Sequence, residues 1–148
     1  YYQLKDAVMI PPPIQQPRPP ITIGATGPLM LKIVARYADT WNSVPGEWRT
    51  SPDKMLEDTR RRNKLLDDYC EQIGRDPKTL RRLLLIFGSE AEAVFKSVDD
   101  FKAVVRRYRT VGITEFIFYY PFENEQIPVF KQVARKAIPK LRATQGFD

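Results

Sequence analysis

LRRLLLIFGS, residues 80–89, carries five consecutive apolar side chains, Leu83 to Phe87, and stops at Gly88-Ser89. A strand with one face in water alternates apolar and polar positions, whereas a short unbroken run suits a strand covered on both faces, as in a parallel sheet. We expect a strand over Leu80 to Phe87. Parallel neighbours cannot be joined by tight hairpins; each needs a crossover, usually helical. The flanking sequence meets that need.

Upstream, Ser51 is a fitting N-cap, Pro52 a favourable first helical residue, and Asp53 an acid where the helix amide end favours negative charge. Met55, Leu56, Thr59, Leu66, Tyr69, Cys70 and Ile73 recur on one flank at helical spacing, and Gly74 supplies the stop. Before that helix, Thr40 to Val44 reads as a strand, followed by a loop through Pro45 and Gly46. Earlier still, Ile21 to Ile23, continuing toward Ala25, reads as a first strand, and Pro28 opens a helix to Ala38.

Downstream, Ser97 caps a helix running to Val111, with Asp100 three residues on as an acidic variant of the capping box. After Gly112 comes a fourth strand, Glu115 to Tyr120, stopped by Pro121. A final helix follows from Asn124 to Ala143, in which Pro139 is expected to bend or shorten the last turns. Four strand-then-helix units predict an α/β domain with a parallel sheet. Periodicity leaves open whether that sheet is doubly wound or part of a barrel.

With 148 residues the default is one domain, able to bury roughly two thirds of its unfolded surface. Residues 1–20 hold six prolines and read as an extended lead-in; residues 21–148 hold the βα units. The start has neither an initiator Met nor the shape of a signal peptide, so the chain is expected to begin inside a longer one. A net charge of +6 admits anionic partners. The basic triple Arg60-Arg61-Arg62, however, shares its helix with Glu57, Asp58, Asp67 and Asp68 and reads as a solvated face. With no zinc-finger spacing, aromatic RNA-binding motif or basic arm, nucleic acid is not an expected partner. The lone Cys70 makes no internal disulfide and no multi-cysteine metal site. No apolar run approaches the roughly 20 residues that cross a bilayer. A cytoplasmic protein without a resident metal is the expectation.

The stretch PRPPITIGATGP, residues 17–28, has a mechanism of its own. Gly24 and Gly27 allow a tight turn whose backbone can approach a ligand, and Pro28 starts the helix. Unpaired amides at that helix end favour a phosphate without help from Lys or Arg, and Thr26 adds a hydroxyl. The alternative is an ordinary βα turn in which the glycines answer only local geometry.

Several segments together resemble the luciferase-like monooxygenase superfamily: Pro11-Pro12-Pro13-Ile14-Gln15, Pro19 to Pro28, Ala35 to Asn42, Tyr69 to Pro77, Gly88-Ser89 and Gly112 to Phe116. They keep the family's order and span almost the whole chain. The resemblance is to the family's C-terminal half. It implies the last four units of a (β/α)8 TIM barrel whose parent is an FMN- or F420-dependent oxidoreductase acting on a small-molecule substrate. It further implies cofactor-binding positions at Gly24, Ala25, Thr26, Gly27 and Pro28, near the phosphate, and at Asp39, Trp41 and Asn42 at a neighbouring strand end. Trp41 reads equally as core packing. Thr40 stands where many members have glycine. The missing N-terminal half, or a second copy of this chain, would complete the barrel.

Catalytic chemistry within these residues is thin. There is no histidine, which removes the usual neutral-pH proton shuttle and the Cys-His and Ser-His pairs. Glu47, Asp53, Glu123 and Glu125 fall near strand-to-helix loops and read as solvated acids. No catalytic residue is assigned. The competing reading of the chain is a noncatalytic, self-associating structural fragment.

Overall fold

The computed structural model describes residues 3–8, 10–44 and 51–143. Four strands, β1 (Thr22–Gly24), β2 (Thr40–Ser43), β3 (Arg81–Leu85) and β4 (Glu115–Ile117), form one sheet in the order β1-β2-β3-β4. Every pairing is parallel. The helices between and after them are α1 (Pro28–Tyr37), α2 (Pro52–Gln72), α3 (Ser89–Ala93), α4 (Val98–Arg109), α5 (Ile127–Gln132) and α6 (Ile138–Ala143). Residues 3–8 and 10–20 are exposed and contain neither helix nor strand. The Pro45-Gly46 loop and Glu47 lie outside the described residues.

Strand order resolves what periodicity left open. A doubly wound sheet reverses direction at a switch point; here each new strand adds to the same edge. Since βαβ crossovers are right-handed, a sequential order puts all the helices on one face of the sheet. The arrangement is therefore a (β/α)4 portion of a TIM-barrel-like fold.

Register separates the two faces. Ile23, Trp41 and Arg82 share one layer, and Ser43, Leu84 and Phe116 follow the same alternation. These side chains meet the helices: Ser43 and Thr59 of α2 share a 3.0 Å hydroxyl contact, and Arg82 pairs with Asp67 of α2. On the opposite face, Thr22, Gly24, Arg81 and Ile117 remain exposed, while Thr40 and Leu83 are closed in by their neighbours. In a barrel that face looks inward.

Two apolar clusters hold the helices down. Leu31, Val34, Trp41, Leu66, Cys70, Leu84, Tyr108 and Ile113 lie in the first, between the sheet and the first helices. Val94, Phe95, Phe101, Val105, Val133 and Ala137 form the second, with Phe118 and Phe130 packed on it. Phe95 stacks on Phe101 at 6.1 Å and meets Phe130 edge-on at 5.3 Å.

The helix starts match the sequence in detail. Ser51 accepts the Lys54 amide with Pro52 in the first turn, and Ser97 accepts the Asp100 amide. Gly74, at φ +72, ends α2. The basic triple, by contrast, divides. Arg60 and Arg61 are exposed and pair with Glu57 and Asp58, but Arg62 is only 5 % exposed and donates to the Val44 carbonyl at 2.9 Å. Its spacing from Met55, Thr59, Leu66 and Cys70 places it on the buried stripe.

Two other expectations change. Ser89-Glu90-Ala91-Glu92-Ala93 forms the additional helix α3, built from good helix formers with little apolar periodicity to announce it. Near the end, the chain widens into a π turn over Val133–Ala137, the Ile138 amide reaching the Val133 carbonyl. Pro139 has no amide for the Arg135 carbonyl, and its ring crowds that oxygen; the wider turn relieves both problems and the helix continues.

Gly112 couples backbone and packing. Its φ is +87, and an added Cβ would stand 2.4 Å from Asn63 Nδ2, which donates to the Val111 carbonyl. Gly74 has a similar φ of +72 but open space around it. We expect Gly74→Ala to cost about 1 kcal/mol of stability, from left-handed strain alone. Gly112→Ala should cost about 2–3 kcal/mol, because the Asn63 bond is lost as well. Urea unfolding of both variants measures the difference; equal losses would disprove the Asn63 contribution.

Candidate functional site

The turn after β1 lies at the carboxyl end of the sheet. Ala25 continues from the strand, its amide donating to the Asn42 carbonyl at 3.4 Å. The Ala25 carbonyl accepts the Trp41 indole N–H at 3.0 Å. Thr26 and Gly27 then lead into α1, with Gly27 as N-cap at φ −91, ψ 154 and Pro28 in the first turn.

Neither turn glycine occupies the left-handed region, so backbone conformation does not require them. A Cβ on Gly27 would meet nothing within 4 Å, and one on Gly24 only ordinary contacts at 3.9 and 4.0 Å. The glycines leave the turn bare instead of allowing an unusual bend.

The start of α1 differs chemically from those of the other long helices. Gly27 provides no side-chain cap and the first turn contains no acid, whereas α2 has Ser51 with Asp53, and α4 has Ser97 with Asp99 and Asp100. Among the described residues, no acceptor meets the amides of Thr26, Gly27, Leu29 and Met30. With the partial positive charge of the helix end, these donors suit an anionic oxygen.

The structure divides the remaining residues to which the resemblance points. Asn42 is beside Gly24 in register. Its Oδ1 accepts the Leu85 amide at 3.1 Å, which leaves Nδ2 without an acceptor among the described residues. Trp41 points the other way, toward the helices, and is fully buried with Arg82 5.9 Å over its ring. Its hydrogen bond to the turn is the one from its indole N–H to the Ala25 carbonyl.

Asp39 lies at the opposite, amino-terminal end of β2. Its carboxylate holds Arg18 at 2.5 Å and the Ile21 amide at 2.6 Å, tying the lead-in to the base of the sheet. The Arg18 hydrogen bond, then the Ile21 amide, bring its pKa down to about 2. A carboxylate so engaged is apart from the turn. The resemblance groups Asp39 with Trp41 and Asn42, and β2 sets Asp39 and Asn42 at its two ends.

The acids near the loops also have defined places. Asp53 pairs with Arg107 at 2.5 Å, while Glu123 and Glu125 are exposed. Glu90, which pattern reading did not single out, is buried on α3 and accepts the Tyr108 hydroxyl at 2.6 Å. Burial raises its pKa, only partly opposed by Tyr108 and Arg107. Its only sequence signal is an acid immediately after Gly88-Ser89.

No protein-family model matches the sequence. The geometry by itself gives a (β/α)4 portion of a TIM-barrel-like fold in which α1 starts without a side-chain cap.

The Arg18–Asp39 tie gives a signed pH dependence. A depressed carboxylate pKa contributes stability above its unfolded value, and the contribution disappears as pH falls through the folded value near 2. Asp39→Asn should therefore lower the unfolding midpoint by a constant amount above about pH 5 and by progressively less toward pH 2. A pH-independent difference between the two proteins would refute the assignment.

Proposed function

We propose that this chain supplies the cofactor-phosphate-binding half of a barrel oxidoreductase using FMN or F420, the other strands coming from a complementary half. One observation carries the reading: α1 alone among the described helices of ten or more residues begins without a side-chain cap or first-turn acid, and does so at the carboxyl end of a strand. That is the end at which TIM-barrel enzymes bind their ligands. The luciferase-like resemblance of the same residues supplies the identity of the phosphate's carrier.

The fit is to the phosphate. Amides of Thr26, Gly27, Leu29 and Met30 would hold its oxygens, with the Thr26 hydroxyl and Asn42 Nδ2 as further donors nearby. No cation is needed, because about half an elementary charge resides at a helix amino terminus. Trp41 would keep the turn in place through Ala25, and Asp39 would secure the strand's other end. A bound FMN or F420 would supply hydride transfer to or from a small-molecule substrate, with oxygen activation as an additional capacity of FMN. Contacts to its ring and to the substrate would come largely from the complementary half.

A specific observation favours a second reading, the noncatalytic structural fragment. The sheet has β1 and β4 as its edges and a face without helices. A two-fold axis along the strands would set β4 beside the partner's β1 in parallel, closing two halves into eight strands.

Replacing Gly27 by Asp tests the primary reading. A carboxylate at the N-cap would occupy the Leu29 or Met30 amide and oppose the helix charge, raising stability by about 0.5–1 kcal/mol while repelling phosphate. Calorimetric titration should show FMN or F420 binding at least tenfold tighter than riboflavin, and Gly27→Asp should remove that advantage. Equal affinity for FMN and riboflavin, with F420 unbound or insensitive to Gly27→Asp, would sink the phosphate role. A dimer in sedimentation that binds neither cofactor would support the second reading.

A further inference from the structure

Among the described strands β4 pairs with β3 alone, so its other edge is open to a further strand. Beside that strand, β4, α4 and α6 enclose a cleft of about 430 Å³. Phe116 and Phe118 of β4 and Ile138 and Leu141 of α6 line it as half-buried groups, within reach of an occupant. Arg109 and Arg142 border it from the last turns of α4 and α6. An extended segment laid parallel to β4 would complete its hydrogen bonding and turn every second side chain toward the helix layer, where Phe116 also points. Edge and cleft together describe a seat for a strand with aliphatic residues at alternate positions.

Charge decides whose strand it is. Residues 127–143, which flank the cleft, carry the five basic residues Lys131, Arg135, Lys136, Lys140 and Arg142 and no acid. Arg109 donates to the Leu141 carbonyl at 3.2 Å, and neither it nor Arg142 has an ion pair among the described residues. A second copy of the chain would bring its β1 edge, residues 17–38, which carry Arg18, Lys32 and Arg36 and again no acid. Arg18 is matched by its own Asp39; the rest of that edge has nothing to offer a guanidinium. Two-fold closure would repeat this like-charge seam twice, whereas a partner bearing carboxylates is attracted at the same place.

We infer that the open edge of β4 seats a strand of an acidic partner different from this chain. Its aliphatic side chains enter the cleft against Phe116, Phe118, Ile138 and Leu141, and a carboxylate at its start meets Arg109 and Arg142. The inference rests on the complementary half proposed above and gives that half its edge chemistry. It uses no residue of the α1 turn.

Two capped hexapeptides, ETITIT and KTITIT, N-methylated along one edge so that they cannot pair with themselves, test this with the intact chain. In nitrogen-15 NMR titrations ETITIT should shift the backbone amides of β4 saturably and bind at least tenfold tighter than KTITIT, and added salt should narrow the gap. Exposed Arg142→Glu serves as the fold-neutral variant: it should bring the two affinities together or reverse their order without changing the melting temperature. Equal affinity of the two peptides for the unmodified chain, no binding of either, or a dimer in sedimentation whose formation shifts the same β4 amides would each overturn the proposal. FMN titration reports on the α1 turn separately, so loss of either result leaves the other standing.

Discussion

Right-handed crossover between parallel strands laid down in sequential order is the constraint on which the structure depends. Each crossover returns the chain to the same side of the sheet, so all the helices cover one face. Trp41, Ser43, Arg82 and Leu84 are consequently buried against helices, and the alternate positions form a surface with no helical cover. The same constraint sends every strand-to-helix turn to one end of the sheet, where the bare Gly24–Pro28 turn is found.

Polar groups on the covered face hold the helices in register with the strands. Arg62 caps the Val44 carbonyl, Arg82 joins Asp67 while covering Trp41, and Tyr108 reaches Glu90. Burying such charges is unfavourable unless they are paired, so these contacts specify position more than they add net stability. Arg107 extends the Glu90 group to Asp53 at the start of α2, connecting α3, α4 and α2.

The turn after β1 forgoes a local source of helix stability. A serine cap would complete α1 as Ser51 and Ser97 complete α2 and α4, but Gly27 leaves the amides open at a place where neither φ nor packing demands glycine. Support arrives indirectly, through the Trp41 N–H at the Ala25 carbonyl. An open helix end with an anchored approach is a feature suited to an external anion.

Local rules were enough to read much of this protein from its sequence. The apolar run at Leu83–Phe87, the Ser51-Pro52 and Ser97 starts and the Gly74 stop express backbone chemistry within a few residues, so strands and most helices were legible, with ends displaced by one to three positions. The strand Glu115 to Tyr120 is shorter in the structure because β4 pairs only through Ile117, opposite Leu85. Tertiary structure decided what depends on distant partners: the strand order, the burial of Arg62, and the place of Asp39 at the base of the sheet while Asn42 stands beside the turn. Spacing along a chain reports which face a residue occupies; only the assembled sheet determines what that face, or that end, will meet.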